Sequence, residues 1–416
     1  MAFRFLHAAD LHLDTPFAGL SATSPAVGAA LREASLRAFD DLVRLAIARD
    51  VAFVVLAGDV YDGAERGVRA QLAVHRGVTR LAGRGIRTFM VAGNHDPVGE
   101  GWAAIREWPE LVTIFPAGEV ASVAVERDGQ HLATVHGTSY ERRATTENLA
   151  LGFRRGEAPG PHIAVLHANV GGQPGHDPYS PCTVDDLVGT DIDYWALGHV
   201  HTRQVLHREP WIVYPGNFQG RNPRASEQGA KGALVVEVDD AGHIAEPEFV
   251  ALDAVRFHHE EVAIDEVADL GALREELSDL GQRRLVAADG RSLLLRVTLV
   301  GRGPVHADLR RPGAVAELVG TLRDDAPVDE PFLWWDRIDS ATSAARDLDA
   351  LRDRNDFVAD LLDEADRRSS ASGTAWVDLP SDLAALLGPA MPDLGADARW
   401  VAATELAVDL VAGDEG

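Results

Sequence analysis

Apolar positions along the chain follow two rhythms. Short continuous runs at Phe3–Leu6, Phe53–Leu56, Thr88–Val91, Ile163–Leu166 and Tyr194–Leu197 are rich in β-branched, leucine and aromatic residues, and they predict buried strands. Between the first three runs the apolar residues recur close to every 3.6 positions. Leu31, Phe39, Leu42, Val43, Ala46 and Ile47 predict one amphipathic helix, and Leu72, Val74, Val78 and Leu81 a second. Alternating strands and helices predict an α/β sheet, in which functional residues gather at the carboxyl ends of the strands.

The pattern changes after Leu252. Helical spacing through Val267, Leu270, Leu273, Leu277 and Leu280 leads to a strand at Ser292–Val300, a helix around Val315–Leu322 and a strand near Phe332–Ile338. These predict a small α/β module. From Arg346 to Arg368 a charged helix carries Phe357, Val358, Leu361, Leu362 and Ala365 on one face, a stripe suited to an internal contact or to a docking partner. Ser369–Thr374 reads as a short linker, and Leu379–Leu410 as further helical pattern interrupted by Pro380, Pro389 and Pro392. At 416 residues the chain exceeds one compact domain of ordinary size, and the expected division is 1–253, 254–340 and 341–416.

Polar residues of one chemical kind follow the predicted strands. Asp10-Leu-His12, Gly58-Asp59-Val-Tyr-Asp62, Gly93-Asn94-His95-Asp96, His167 and Gly198-His199-Val-His201 each come directly after an apolar run. Singly, each has a plain reading as a turn or a rim histidine, and the asparagine could serve only to tolerate positive φ. Jointly they supply imidazole, carboxylate and amide donors after five strands. That is the set needed by two divalent cations about 3.5–4 Å apart with one bridging carboxylate.

In this order, D-x-H, G-D-x-x-D, G-N-H-D, a lone H and G-H-x-H resemble the calcineurin-like metallophosphoesterase superfamily. Three segments, His7–Phe17, Asp193–His199 and Tyr214–Arg221, are further similar to the YhaO-type branch of the SbcD family of DNA repair exonucleases. The resemblance implies a β-sandwich flanked by helices, a small α/β cap-like domain and C-terminal helices. It also implies a manganese-dependent nuclease subunit acting on DNA with an SMC-like ATPase of the SbcC type, and a homodimer. Carried over residue by residue, Asp10, His12, Asp59 and His201 match the ligands of one metal. Asp59, Asn94, His167 and His199 match those of the other, with Asp59 as the bridge. His95 matches the catalytic histidine, and Asp96 stands where it could orient that ring. Iron or zinc would suit the same donors as manganese. Archaeal and eukaryotic members carry histidine where this chain has Asp62, whereas bacterial members resemble it there, and the run Asn222–Ala225 lacks the histidine and glutamate expected of close YhaO-type relatives.

Charge qualifies the nucleic-acid reading. The net charge is −26, with 39 basic against 65 acidic residues, whereas a nucleic-acid binder is usually basic. Residues 1–250 carry 22 basic and 31 acidic residues, leaving 17 and 34 for the remainder, so the catalytic part is the less acidic. Arg142, Arg143, Arg154, Arg155, Arg221 and Arg224 could supply phosphate contacts. Lys231 is the only lysine, a bias read as compositional. The single cysteine, Cys182, cannot form an internal disulfide, the chain starts without a leader pattern, and no apolar run approaches the roughly 20 residues that span a bilayer, so a cytoplasmic protein without membrane contact is expected. The alternatives to a nuclease are a small-molecule phosphodiesterase or phosphatase of the same superfamily, and a non-catalytic scaffold for the ATPase. The complete ligand set argues against the scaffold.

Overall fold

All five apolar runs form strands, and their hydrophobicity has one cause: apart from the exposed Arg4 near the start of the first, they are covered on both faces. A computed structural model describes residues 1–13, 15, 24–63, 67–100, 103–173, 175, 177–345, 348–354, 356–370 and 408. The catalytic half runs β1 (Phe3–Ala8), α1 (Pro25–Ala48), β2 (Phe53–Ala57), α2 (Val68–Ala82), β3 (Arg87–Val91), β4 (Val112–Ile114), β5 (Ala121–Arg127) and β6 (Gln130–Gly137). It continues through β7 (His162–His167), α3 (Val184–Val188), β8 (Tyr194–Gly198), β9 (Gln204–Arg208), β10 (Trp211–Tyr214), β11 (Gly232–Val238) and β12 (Glu248–Ala251).

These strands make two six-stranded sheets, ordered β12-β11-β1-β2-β3-β4 and β5-β6-β7-β8-β10-β9. In the first, β1 to β4 are parallel and β11 and β12 complete the edge antiparallel. In the second, β6, β7, β8 and β10 are parallel between antiparallel edges β5 and β9. Phe5, Phe53, Val55 and Phe89 of one sheet and Val135, Ile163, Val165 and Ala196 of the other belong to one buried core, the filling of a sandwich. The alternate residues Leu6, Val54, Leu56 and Met90 point the other way and pack with Phe39, Leu42 and Val43 of α1 and Val74 and Val78 of α2. Ala164, Leu166, Trp195 and Leu197 do the same on the outer face of the second sheet, with Phe153 and Leu187.

Helix α1 begins where Ser24 accepts from Val27 N and Pro25 fills the first turn, whose N–H would be unpaired in any case. Helix α2 departs from expectation at Leu72, which is 42% exposed. The buried face is Ala70, Gln71, Val74, Val78 and Leu81, because the step from Leu72 to Val74 is two residues and carries Leu72 off the stripe.

The third sheet is β13-β14-β15, with β13 at Val255–Ala263, β14 at Ser292–Gly303 and β15 at Leu333–Ala344. Helices α4 (Leu270–Ala287), α5 (His306–Leu309) and α6 (Ala314–Asp325) join them. Helices α4 and α6 and the last two strands follow the expected pattern with shifted bounds, α4 starting at Leu270 rather than Val267, whereas the short α5 was not expected. Strand β13 was not expected, since its middle carries His258, His259, Glu260 and Glu261 and breaks the apolar signal. The chain divides into two compact units: Met1–Glu260 with Leu277–Val297 and Val319–Ile338, and Glu261–Glu276 with Thr298–Leu318 and Asp339–Gly416.

In the second unit the charged helix expected over Arg346–Arg368 is two helices, α7 (Leu348–Arg352) and α8 (Phe357–Ser370). The break is caused by Asp356, whose Oδ1 accepts from Val358 N and Ala359 N and so starts a new helix. Of the predicted stripe, Val358 and Leu362 are buried with Val408, Leu361 packs on them, and Phe357 is 66% exposed. The first two residues of the expected linker, Ser369 and Ser370, still belong to α8. Its remaining residues, 371–374, and the pattern around Pro380, Pro389 and Pro392 lie outside the described residues. Among the described residues no helix is long and apolar enough to cross a membrane.

Candidate metal centre

The polar motifs all leave the carboxyl ends of parallel strands, three from one sheet and two from the other. Asp10 and His12 follow β1, Asp59 follows β2, Asn94 to Asp96 follow β3, His167 ends β7, and His199 and His201 follow β8. Backbone bonds tie these loops together: Asp10 N donates to Gly58 O at 3.1 Å, His12 N to Asp59 O at 2.9 Å and Leu13 N to Val60 O at 3.0 Å. The turns are sharp enough to force Asp10, His12, Asp59 and His199 to positive φ, with values of 51°, 42°, 50° and 103°. Such conformations cost free energy in a non-glycine residue and persist where surrounding structure holds them. Asn94 is not among the positive-φ residues, so backbone tolerance does not explain it.

Two motif glycines have a steric reason. Gly58 sits at φ +90°, and a Cβ there would lie 2.3 Å from the His167 ring. A Cβ on Gly198 would lie 1.8 Å from Ala57 O. Both glycines let the two sheets bring their loops to one point.

There the donor atoms converge. Among the described residues, Asp10, His12 and His201 form one group able to hold a metal, Asp10, Asp59 and His167 a second, and His12, Asp62 and His95 a third, with ligand atoms within 4.8 Å in each. His12 Nε2 is 3.3 Å from His201 Nε2 and 3.8 Å from Asp59 Oδ2, while His201 Nε2 is 3.9 Å from Asp10 Oδ1. His167 Nε2 is 3.4 Å from Asp59 Oδ2. Asn94 Oδ1 lies 3.0 Å from His167 Nε2 and 3.2 Å from His199 Nδ1. Asp59 thus stands between His12 on one side and His167 on the other, the position a bridging carboxylate requires.

Oxygen atoms hold the outward nitrogen of three imidazoles and leave the other for the cluster. His167 Nδ1 meets Ala57 O at 2.9 Å, His199 Nε2 meets Asp177 O at 2.8 Å, and His201 Nδ1 meets Glu227 Oε1 at 2.8 Å. A carbonyl can only accept, so the first two nitrogens carry the proton, and the nitrogen across each ring is the one a second proton or a cation would take. His12 Nδ1 lies 3.2 Å from Asp62 Oδ1, close but without hydrogen-bond alignment.

Burial and mutual charge set the protonation of the group. Burial opposes a charge on His167, yet Asp59 and Asp10 outweigh it and hold the ring up at about pKa 9. Asp59 is likewise buried, and His167, His12 and His95 hold its carboxyl well below the usual range. Burial, then Arg221, pushes His12 down to about 3. Protons and cations compete for these lone pairs, so the centre favours a divalent ion as the proton concentration falls.

His95 is 28% exposed in its side chain, the most open of the site imidazoles, with Asp62 Oδ1 3.4 Å from its Nδ1. Asp96, expected to orient it, accepts from the backbone N–H groups of Val60, Tyr61 and Gly93 and so joins the second loop to the third. Of the arginine pairs considered for phosphate, Arg155 is bound to Asp193, Asp191 O and Gly160 O, and Arg154 to the carbonyls of Leu151 and Phe153. Arg221 is at the centre, with Nη1 2.7 Å from Asp62 Oδ1.

In the loop after β10 sequence reasoning singled out Arg221 but missed the buried Glu227 and gave Lys231 no role. Glu227, 2% exposed, accepts from His201 Nδ1, from Asn217 Nδ2 at 2.6 Å and from Arg221 N at 3.0 Å. Burial works against its charge, but His201 and Arg221 hold its pKa down at about 2. Lys231, 6% exposed, donates from Nζ to His201 O at 2.9 Å and to Ser226 O. The solitary lysine was the available signal: every other basic residue is arginine, and this buried slot takes a compact ammonium.

Comparison with known proteins accords with this geometry. A family model described as calcineurin-like phosphoesterase matches residues 3–203, and one described as metallophosphoesterase YhaO, middle domain, matches residues 257–343. The Bacillus subtilis (strain 168) protein named uncharacterized metallophosphoesterase YhaO is 36% identical over 364 residues, 87% of each chain. The chain belongs to the calcineurin-like metallophosphoesterases, of the YhaO type. More distant relatives are a subunit of nuclease SbcCD from Escherichia coli (strain K12), 26% identical over 261 residues, and DNA double-strand break repair protein Mre11 of Thermoplasma acidophilum, 24% identical over 226 residues. The first match covers 51% of this chain and 60% of the relative, and the second 49% and 56%. As a calcineurin-like metallophosphoesterase the chain is a metal-dependent hydrolase of phosphoesters. Its donors of imidazole, carboxylate and amide type fit a dinuclear centre for first-row divalent ions.

Proposed function

We propose that the chain is a two-metal phosphodiesterase that hydrolyses DNA, and that it works with an SMC-like ATPase of the SbcC type. The observation that carries the reading is the convergence of Asp10, His12, Asp59, Asn94, His167, His199 and His201 on one point, with the more exposed His95 beside them. Those seven residues are the ligands in this reading, with Asp59 as the bridge. Cations held there supply Lewis acidity toward the phosphate and acidify the attacking water. His95 faces the centre from the open side, where its imidazole holds a proton for the leaving oxygen, and Asp62 at Nδ1 orients the ring. Asp96 acts one step back, by fixing the loop that carries His95.

The named activities of the SbcCD nuclease and of the double-strand break repair protein favour DNA as substrate. Residues 254–340 would cap the site, and α8 in the C-terminal region would dock the ATPase. The net charge of −26 favours a small phosphoester as the second reading, because DNA affinity would depend on a partner. The test is manganese-dependent degradation of end-labelled linear duplex DNA by the purified chain, with Asp59→Ala and a small phosphodiester alongside. Cleavage of DNA that is lost in the variant supports the nuclease. Cleavage of the ester alone, with and without the ATPase present, supports the small-molecule reading.

A further inference from the structure

Three groups of donors converge at the centre, yet the two expected metals use only two of them. The third, His12 with Asp62 and His95, already has a cation. Arg221 Nη1 donates to Asp62 Oδ1 at 2.7 Å, and that same oxygen lies 3.2 Å from His12 Nδ1 and 3.4 Å from His95 Nδ1. We propose that Arg221 is a phosphate-binding residue of this centre, its guanidinium filling the place of a third cation and receiving the phosphate group of substrate or product. The inference rests on the phosphoesterase reading and adds a residue to it.

The side chain is held like a ligand-binding fork. Its backbone N–H is fixed on Glu227 Oε2 at 3.0 Å, and Nε lies 3.7 Å from Glu227 Oε1, buried and without a hydrogen-bond partner. Two carboxylates therefore balance the cost of burying the charge. The side chain's hydrogen bond to the described residues runs through Nη1, which leaves the Nη2 donors for a ligand, and 18% of the side chain is exposed beside His95. A planar guanidinium with donors left over next to a metal cluster matches a phosphate oxygen pair, which a lysine ammonium would meet only as a point charge. A metal in the same place would have to displace the arginine from Asp62.

The test uses the full chain loaded with Mn2+. Equilibrium dialysis counts bound Mn2+, and calorimetry measures the affinity for inorganic phosphate, in the wild type and in R221Q, R221K and D62N. The expected result is an unchanged Mn2+ count in R221Q with phosphate affinity weakened at least tenfold, and a smaller loss in R221K. Unchanged phosphate affinity with Mn2+ retained would overturn the proposal. So would loss of Mn2+ from R221Q, which would make the arginine a structural prop, or a third Mn2+ in the wild type that D62N removes. Should R221Q fail to fold, R221K decides by the same two readings, since it keeps the buried charge. A wild-type chain that binds neither Mn2+ nor phosphate would overturn the phosphoesterase reading itself.

Discussion

Two kinds of loop build the centre. The loops after β1, β2, β3, β7 and β8 bring donor atoms directly, through Asp10, His12, Asp59, Asn94, His167, His199 and His201; backbone bonds join the first to the second and the fourth to the fifth, and the side chains of Asp59 and Asp96 tie in the third. The loop from Asn217 to Lys231 brings none of the proposed metal ligands. It works through buried charges, with Glu227 on His201, Lys231 on His201 O and Arg221 on Asp62. Direct ligation admits few residue types and places them at fixed offsets from a strand end, so it leaves a signature. Charge compensation is satisfied by whichever side chain reaches, so it leaves almost none.

The largest effect should come from breaking the first kind of loop at its bridge. Asp59→Ala removes the carboxylate between His12 and His167, and both bound metal and turnover should vanish, with activity down at least about a thousandfold. Metal analysis beside hydrolysis of a small phosphodiester checks both. His95→Gln should keep the metal and slow hydrolysis by about 10²–10⁴-fold. Metal lost from that variant would move His95 from the chemistry to the ligand set.

Effects in the second kind of loop should be graded rather than absolute. Glu227→Gln leaves His201 a weaker partner and should cost about 10–100-fold in metal affinity. An Mn2+ titration reads it, and a loss as complete as that of Asp59→Ala would erase the distinction between the loops. Lys231→Met should act in the same direction through His201 O and the Ser226 carbonyl, and Lys231→Arg should not restore it, because the slot is buried and short.

The smallest effect separates the scaffold from the site. His7 on β1 is fully buried between Tyr194 OH at 3.0 Å and Leu197 O at 3.1 Å, and burial pushes its pKa down to about 3. An unfolded histidine binds its proton below about pH 6.5. Between those values the unfolded chain holds more protons, so His7 makes stability fall as the pH drops from 6.5 toward 3 and has no effect above. The slope should reach about 1.4 kcal/mol per pH unit, and metal-free denaturation of His7→Gln against wild type should show it flattened.

The same contrast explains what was legible beforehand. The strands that end at the proposed ligands were legible because most of their residues are buried on both faces and the apolar runs are interrupted only near their starts, as at Arg4. Strand β13 was not, since histidine and glutamate occupy its centre. The residues that converge were legible from motif chemistry, but the positive φ of Asp10, His12, Asp59 and His199 was not, because aspartate and histidine adopt that conformation only where the surrounding loops hold it. Asp62 was singled out in its motif but given no role, as its contacts are with His12, His95 and Arg221, far apart in the chain. Glu227 sits four residues from Lys231 in a polar loop, and nothing local marks it as buried.

The most direct test of the account is the number of Mn2+ ions bound per chain, measured by equilibrium dialysis while hydrolysis of a small phosphodiester is followed in the same samples. Two ions are expected in the wild type, with turnover that rises with their occupancy, and neither ion nor turnover in Asp59→Ala. Full turnover without bound metal, or metal and turnover that survive loss of Asp59, would contradict it.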